Sequence, residues 1–152
     1  MTSVGKAELL EGFRYIEYKD TKAEIRTNVN EMDRYNLSDY YEWSREKDSL
    51  VIIREIEGSI AAVVHLRIKE EYIVIEMLAR NKLLQYKGAA GDLLLLVEKL
   101  VARHYRKEEI RLESMRDVVS YYNDKGYEKY GEPYHDPQWG LLTPMVKRLT
   151  SL

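Results

Sequence analysis

One change of period governs this sequence. From Ser49 to Ala79 apolar residues alternate along short runs, and beyond Gly88 and Gly91 they recur at helical spacing. Ser49–Ile56 is rich in β-formers, and Glu57-Gly58 is a two-residue turn. Ser59–Lys69 then alternates at Ile60, Ala62, Val64, Leu66 and Ile68, and after Glu70-Glu71 a third strand covers Tyr72–Ala79. The three form an antiparallel meander. Past the glycines, Leu93, Leu96/Val97, Leu100/Val101 and His104 share one helical face. Hairpins followed by a strand, a small-residue loop and a helix describe a mixed α/β domain, not a doubly wound parallel sheet.

The flanks extend this order. Phe13–Lys19 alternates as a first strand, Asp20 is placed to cap a polar helical stretch to about Asn30, and Ser38 opens a second helical segment carrying Tyr41 and Arg45 on one face. Downstream, Glu109–Met115 reads as a strand. Ser114, with Asp117 three residues on, resembles a capping pair opening a helix from about Met115 to Lys125, which Gly126 ends. Tyr127–Gly131 and Leu141–Leu149 are predicted terminal strands. No Pro/Gly/Ser-rich linker or internal repeat divides the 152 residues, so one domain is expected over 1–152.

Composition removes whole classes of chemistry. The absence of cysteine excludes a disulfide framework, a zinc ribbon, an iron–sulfur cluster and a thiol nucleophile. His65, His104 and His135 are far apart without carboxylate-rich spacing, so no metal site is expected. A net charge of −2 argues against a generally basic nucleic-acid coat. Apolar runs such as Ile73–Ile75 and Leu93–Val97 are too short to span a bilayer, and MTSVGKAELLEGF holds no apolar signal region; a cytoplasmic protein without membrane partners is expected, as monomer or homodimer. Two glutamines, no cysteine and dense charge are the pattern heat adaptation leaves, so a thermophilic source is a further expectation.

The stretch from Tyr72 to Leu100 is the most informative. A buried strand runs into Leu83-Leu84-Gln85-Tyr86-Lys87-Gly88-Ala89-Ala90-Gly91 and then directly into an amphipathic helix. Small residues at 88–91 admit close approach of a ligand, and the free N–H groups of a first helical turn, with its dipole, attract anions. The plainer reading is a glycine-assisted turn. No Gly-Lys-Ser/Thr follows, so this is not a Walker loop, and the hairpins upstream disagree with a dinucleotide fold.

At this point the residues resemble the GNAT superfamily of acyl-CoA-dependent N-acyltransferases. Gln85-Tyr86-Lys87-Gly88-Ala89-Ala90 fits that family's Arg/Gln-x-x-Gly-x-Gly/Ala loop, with Leu93 at the usual leucine. Leu78-Ala79-Arg80-Asn81 lies where the family has Leu-Ala-Val and a polar residue. Tyr121-Tyr122-Asn123-Asp124-Lys125-Gly126-Tyr127 looks like its aromatic-Tyr-x-x-x-Gly-aromatic segment, and Met145–Leu149 like its closing strand. The resemblance covers about residues 13–149. It implies a central, mostly antiparallel twisted sheet of six to seven strands flanked by helices, with acetyl-CoA (or coenzyme A) and an amine acceptor as partners.

It also implies roles. The backbone from Gln85 through Tyr86, Lys87, Gly88, Ala89 and Ala90 to Gly91 would cradle the cofactor's pyrophosphate, with Lys87 adding charge. Backbone N–H groups at Leu78, Ala79 and Arg80 would meet the thioester carbonyl, Arg80 foremost, although an apolar residue is usual there; such a donor contributes about 2.7–4 kcal/mol. Tyr122 matches the family's general acid, a phenol of pKa about 10 that can protonate a departing thiolate. Without the family, packing would be the plainer role for a tyrosine here. Glu76 is the leading base: a carboxylate in an apolar strand, where burial would tune it for proton removal, against the equal alternative of an outward, solvated glutamate. Met115 stands where relatives carry a polar residue, and Ser114 is the substitute for that cofactor contact. Direct transfer in a ternary complex agrees with the missing cysteine.

Residues 30–48 hold Glu31, Asp33, Asp39, Glu42, Glu46 and Asp48 against Arg34, Arg45 and Lys47. In the family this segment lines the acceptor groove, so an acidic lining would suit a cationic amine, such as a polyamine or a protein lysine or N-terminus. A solvated helix surface is the bland alternative. A GNAT fold without chemistry, acting as a CoA-binding or interaction module, is the rival to an N-acetyltransferase.

Overall fold

The alternating residues fold back on themselves because Glu57 and Gly58 both take positive φ, 50° and 80°, the twist a two-residue hairpin needs. The strands on either side are β4 (Ser49–Ile56) and β5 (Ser59–Ile68), and β6 (Ile73–Arg80) completes the meander. In the computed structural model, which describes residues 5–26 and 34–149, these are joined by β1 (Phe13–Tyr15), β2 (Glu24–Arg26), β3 (Arg34–Asn36), α1 (Leu37–Ser44), α2 (Ala89–Lys99), β7 (Glu109–Met115), α3 (Val119–Asp124), β8 (Glu128–Lys129), β9 (Tyr134–Asp136) and β10 (Gly140–Arg148).

The main sheet runs β1-β4-β5-β6-β7-β10-β8, with β9 also on β10, while β2 and β3 form a separate ribbon. Among the described strands only β6 and β7 pair in parallel, because α2 intervenes as a crossover. The mixed α/β, mostly antiparallel architecture expected from the sequence is therefore the one observed. Both faces are covered. α2 presses Leu93, Leu94 and Val97 onto Ile52, Val64, Ile73, Ile75, Ile110 and Met145. On the opposite face α1 sets Leu37 and Tyr40 over Val51, Ile53 and Val63.

Three local expectations are corrected. Asp20 does not cap a long helix: its carboxylate takes Arg14 at 2.8 Å through both oxygens and the Glu17 N–H at 2.8 Å, closing a single 3-10 turn (Tyr18–Lys22) before β2 begins. The rest of that predicted helix, to Asn30, lies outside the described residues. Ser114 does not cap α3. It is buried on β7 opposite Thr143, its hydroxyl donates to the Met115 carbonyl (3.0 Å), and a 3-10 turn (Arg116–Val118) precedes the helix. The terminal strands number three, since β9 pairs with β10 through a turn in which Asp136 accepts the N–H groups of Gln138 (2.8 Å) and Trp139 (2.9 Å).

Gly126 ends α3 as predicted. With φ of +96° it lets its own N–H reach the Asn123 carbonyl and the Tyr127 N–H reach that of Tyr122, a Schellman closure. This turn fixes Tyr122 against Tyr127 and so places the tyrosine discussed next.

Candidate functional site

The sheet opens at its one parallel junction. β6 and β7 pair only at Ile73↔Ile110, Val74↔Arg111 and Ile75↔Leu112. Beyond them β6 stays with β5 as far as Arg80, and β7 stays with β10 as far as Met115, so the two strands diverge. The direction of the free backbone follows from alternation. The Asn81 N–H donates to the Ala61 carbonyl (2.8 Å), so Asn81 and Ala79 face β5, while Leu78 and Arg80 turn their N–H and C=O groups toward the gap. Leu78 and Arg80, two of the three residues expected to meet an acyl carbonyl, thus present backbone groups to the gap that have no partner among the described residues, whereas the third, Ala79, is turned to β5.

The same strand leads to the anion cradle. Gln85, Tyr86, Lys87 and Gly88 are exposed, Ala89 is buried as the first residue of α2, and Ala90 and Gly91 are half-buried. The Asp92 N–H already bonds the Gly88 carbonyl at 2.9 Å, which leaves the N–H groups of Ala89, Ala90 and Gly91 as the open donors of the first turn. Asp92, an anion at this terminus, is ion-paired with Arg54 (Nε to Oδ2, 3.0 Å) and accepts a hydrogen bond from the Tyr86 hydroxyl at 2.8 Å. From α3, the Tyr121 hydroxyl and Lys125 Nζ would lie 3.7 and 3.8 Å from a Cβ at Gly91. Lys125 therefore adds positive charge that the loop motif alone did not reveal. Small residues, open donors and a nearby cation fit a pyrophosphate.

Tyr122 is 9% exposed, edge-on to Tyr121 (5.3 Å) and Tyr127 (5.6 Å). Burial, reinforced by Tyr121, holds its phenol well above the ordinary tyrosine range, so it stays protonated through neutral pH. Ser114, by contrast, is buried with its hydroxyl committed to a carbonyl, which removes the reason for assigning it a cofactor contact.

Across the gap, a groove of about 550 Å³ lies between α1 and the sheet, lined by Asp39, Trp43, Glu46, His65, Arg67, Glu76, Met77, Gln138 and Trp139. His65 stacks on Trp43 (5.3 Å, 18° between planes) and meets Ser49 Oγ at 2.6 Å; burial first, then Arg67, pushes it down to about 4, so it is neutral. Glu76 is the extra residue of a β-bulge, between the pairs His65↔Met77 and Leu66↔Ile75. Of the two alternatives open for it, the structure has the outward one: its side chain is 39% exposed and pairs with Arg67 (3.5 Å). Asp39 and Glu46 of the acidic segment do line the groove, whereas Glu31 and Asp33 lie outside the described residues. Sequence reasoning missed Trp43, Trp139 and Lys125; the Asp-Pro and Gly signals at 136–140, which build the turn carrying Trp139, were the available clue to one of them.

Residues 16–149 match the family model described as "Acetyltransferase (GNAT) domain". Among solved structures the chain is similar in fold to Ard1 from Thermoplasma volcanium (15% identity, 91% of this chain and 97% of that one, TM-score 0.70). It is similar also to a chimera of spermidine N-acetyltransferase SpeG from Vibrio cholerae and hSSAT (15%, 90% and 94%, 0.66). A third is the PaiA N-acetyltransferase from Thermoplasma acidophilum in complex with coenzyme A (19%, 75% and 70%, 0.59). No curated protein matches the chain by sequence.

Proposed function

The chain belongs to the GNAT acetyltransferase family, and from that premise we propose that it moves an acetyl group from acetyl-CoA to a primary amine by direct attack in a ternary complex. One observation carries the reading: the strand whose Leu78 and Arg80 backbone groups face the gap runs on into the open donors of Ala89–Gly91. A carbonyl-polarising edge and a phosphate cradle are thus set on one continuous piece of chain, as a long bipartite cofactor requires. Acetyl-CoA would supply the activated thioester.

The chain's own residues divide the remaining work. Gln85–Gly91 hold the pyrophosphate, with Lys87 and Lys125 adding charge. Leu78 and Arg80 orient the acyl carbonyl, while Ala79 is turned to β5, and Tyr122, kept neutral by burial, offers its hydroxyl to the departing sulfur. The acceptor enters the groove under α1, where Asp39, Glu46 and Glu76 outnumber Arg67 and the indoles of Trp43 and Trp139 join the lining. This supports a cationic amine, with a polyamine-like molecule or a protein lysine or N-terminus as the candidates. Proton removal falls to a carboxylate beside the gap, Glu76 being the one the sequence singled out. The charge-dense, cysteine-free composition further supports a heat-adapted cytoplasmic protein.

Thermal denaturation with acetyl-CoA, CoA, ATP and NAD tests the first half. CoA species alone are expected to raise Tm, because a ligand that binds only the folded state stabilises it, by about 2.7 kcal/mol at a hundredfold excess over Kd. No shift with CoA sinks the reading. Thiol release over a panel of amines then separates an enzyme from a silent CoA-binding module.

A further inference from the structure

Two carboxylates flank the mouth of the gap. The last β6–β7 pair is Ile75↔Leu112, so Glu76 and Glu113 are the first residues of each strand beyond it. Val74 and Arg111, two positions back, are themselves paired, while Ile73, Ile75, Ile110 and Leu112 point into the core under α2. Alternation therefore sets Glu76 and Glu113 on the same, opposite face, the one that carries the acceptor groove.

The two differ in company. Glu76 is held by Arg67 at 3.5 Å. Glu113 has no lysine or arginine partner among the described residues and instead faces the Tyr134 hydroxyl of β9. Opposite it on β10 stands Pro144, which is uncharged. On its own strand Arg111 is committed to Glu109 (2.9 Å) and sandwiched between the rings of Tyr72 (4.0 Å) and Tyr130 (5.4 Å). The titratable groups facing Glu113 are thus Glu76, Tyr130 and Tyr134, none of them cationic. Glu113 is itself exposed, and a partial loss of solvent, with the charge of Glu76, raises its carboxyl above the ordinary carboxylate range while the Tyr134 hydroxyl pulls the other way.

We propose that Glu113, oriented by Tyr134, is the base that takes the proton from the acceptor ammonium, and that Glu76 acts on it through charge. This rests on the transferase reading. An ion-paired carboxylate binds a proton poorly, whereas one without a cation, beside a second anion, binds it better. The protons balance. Glu113 takes one from the ammonium and releases it to solvent. The neutral nitrogen then forms the N–C bond as the C–S bond breaks, and the second proton lost from nitrogen is matched by the one Tyr122 delivers to sulfur. Each turnover releases one proton.

The test is the acid limb of the pH profile of kcat/KM, from thiol release by the full chain with acetyl-CoA and the fastest of 1,4-diaminobutane, lysine ethyl ester and a peptide with a free N-terminus. Glu113→Gln is expected to lose about a hundredfold at neutral pH, in the range general bases contribute, and to lose the limb. Tyr134→Phe removes a hydroxyl that favours the carboxylate, so its limb moves to higher pH. Glu76→Gln removes a repelling charge, so its limb moves to lower pH. A purely structural role would not move the limb in opposite directions, and Tyr134→Phe keeps the test alive if Glu113→Gln misfolds. Loss of the limb in Glu76→Gln with its retention in Glu113→Gln overturns this inference and leaves the transferase intact. Absence of turnover with all three amines, while acetyl-CoA still raises Tm, overturns both in favour of a silent binding module.

Discussion

At the scale of single residues, burial keeps His65 and Tyr122 neutral. His65 is 4% exposed between Ser49 and Trp43, and its folded value near 4 lies below the ordinary 6.5. Above pH 6.5 neither folded nor unfolded chain carries the proton, so stability there is flat with respect to His65. As pH falls below 6.5 the unfolded chain takes it up first, and stability drops until about pH 4, by on the order of 3 kcal/mol. Urea unfolding at several pH values between 7.5 and 4.5 should show this decline, and His65→Gln should flatten it; an equally steep decline in the variant would refute the assignment. Tyr122→Phe keeps the ring packing and loses only the hydroxyl, so it should slow thiol release at least tenfold while leaving Tm and its rise with acetyl-CoA unchanged. As the proposed acid, Tyr122 is legible through the spaced motif that surrounds it. Glu113, as the proposed base, is not: the alternation of Glu109–Met115 shows which side chains leave the core, but nothing local shows that the neighbouring strand departs at Leu112.

At the scale of elements, what the sequence revealed best was whatever a turn enforces. β4 and β7 have their predicted bounds, and the β4–β5 hairpin follows from Glu57-Gly58. Elements set by long-range contacts were misread. Asp20 looked like a helix cap because its salt bridge to Arg14, six residues away, is a tertiary event. β9 was missed because it exists only by pairing with β10. Gly126 offers an element-scale prediction. Its φ of +96° is unfavourable for any side chain, and a Cβ would come within 3.2 Å of Lys147 Cε, part of the chain that also pairs with Glu98. Gly126→Ala should therefore cost about 1–2 kcal/mol, visible as a lowered Tm, and loosening this closure should weaken activity more than CoA binding because Tyr122 sits one turn earlier.

At the scale of the whole molecule, the sheet is two half-sheets, β1-β4-β5-β6 and β7-β10-β8, joined by three residue pairs and by the core that α2 shares between them. The gap exists because a parallel junction of that length can open without breaking either antiparallel half, whose ladders continue past it on both sides. A ligand seated there would replace the missing ladder with its own contacts and couple the halves, and local opening is costlier when such contacts must break. Hydrogen exchange with and without acetyl-CoA should accordingly show added protection at Leu78 and Arg80, at Ala89–Gly91, and at Glu113–Met115. β1, at the far edge beyond β4 and β5, should change little. Protection confined to the groove under α1, with Leu78 and Arg80 unaltered, would place the ligand outside the gap and refute the division of labour between the strand edge and the helix terminus.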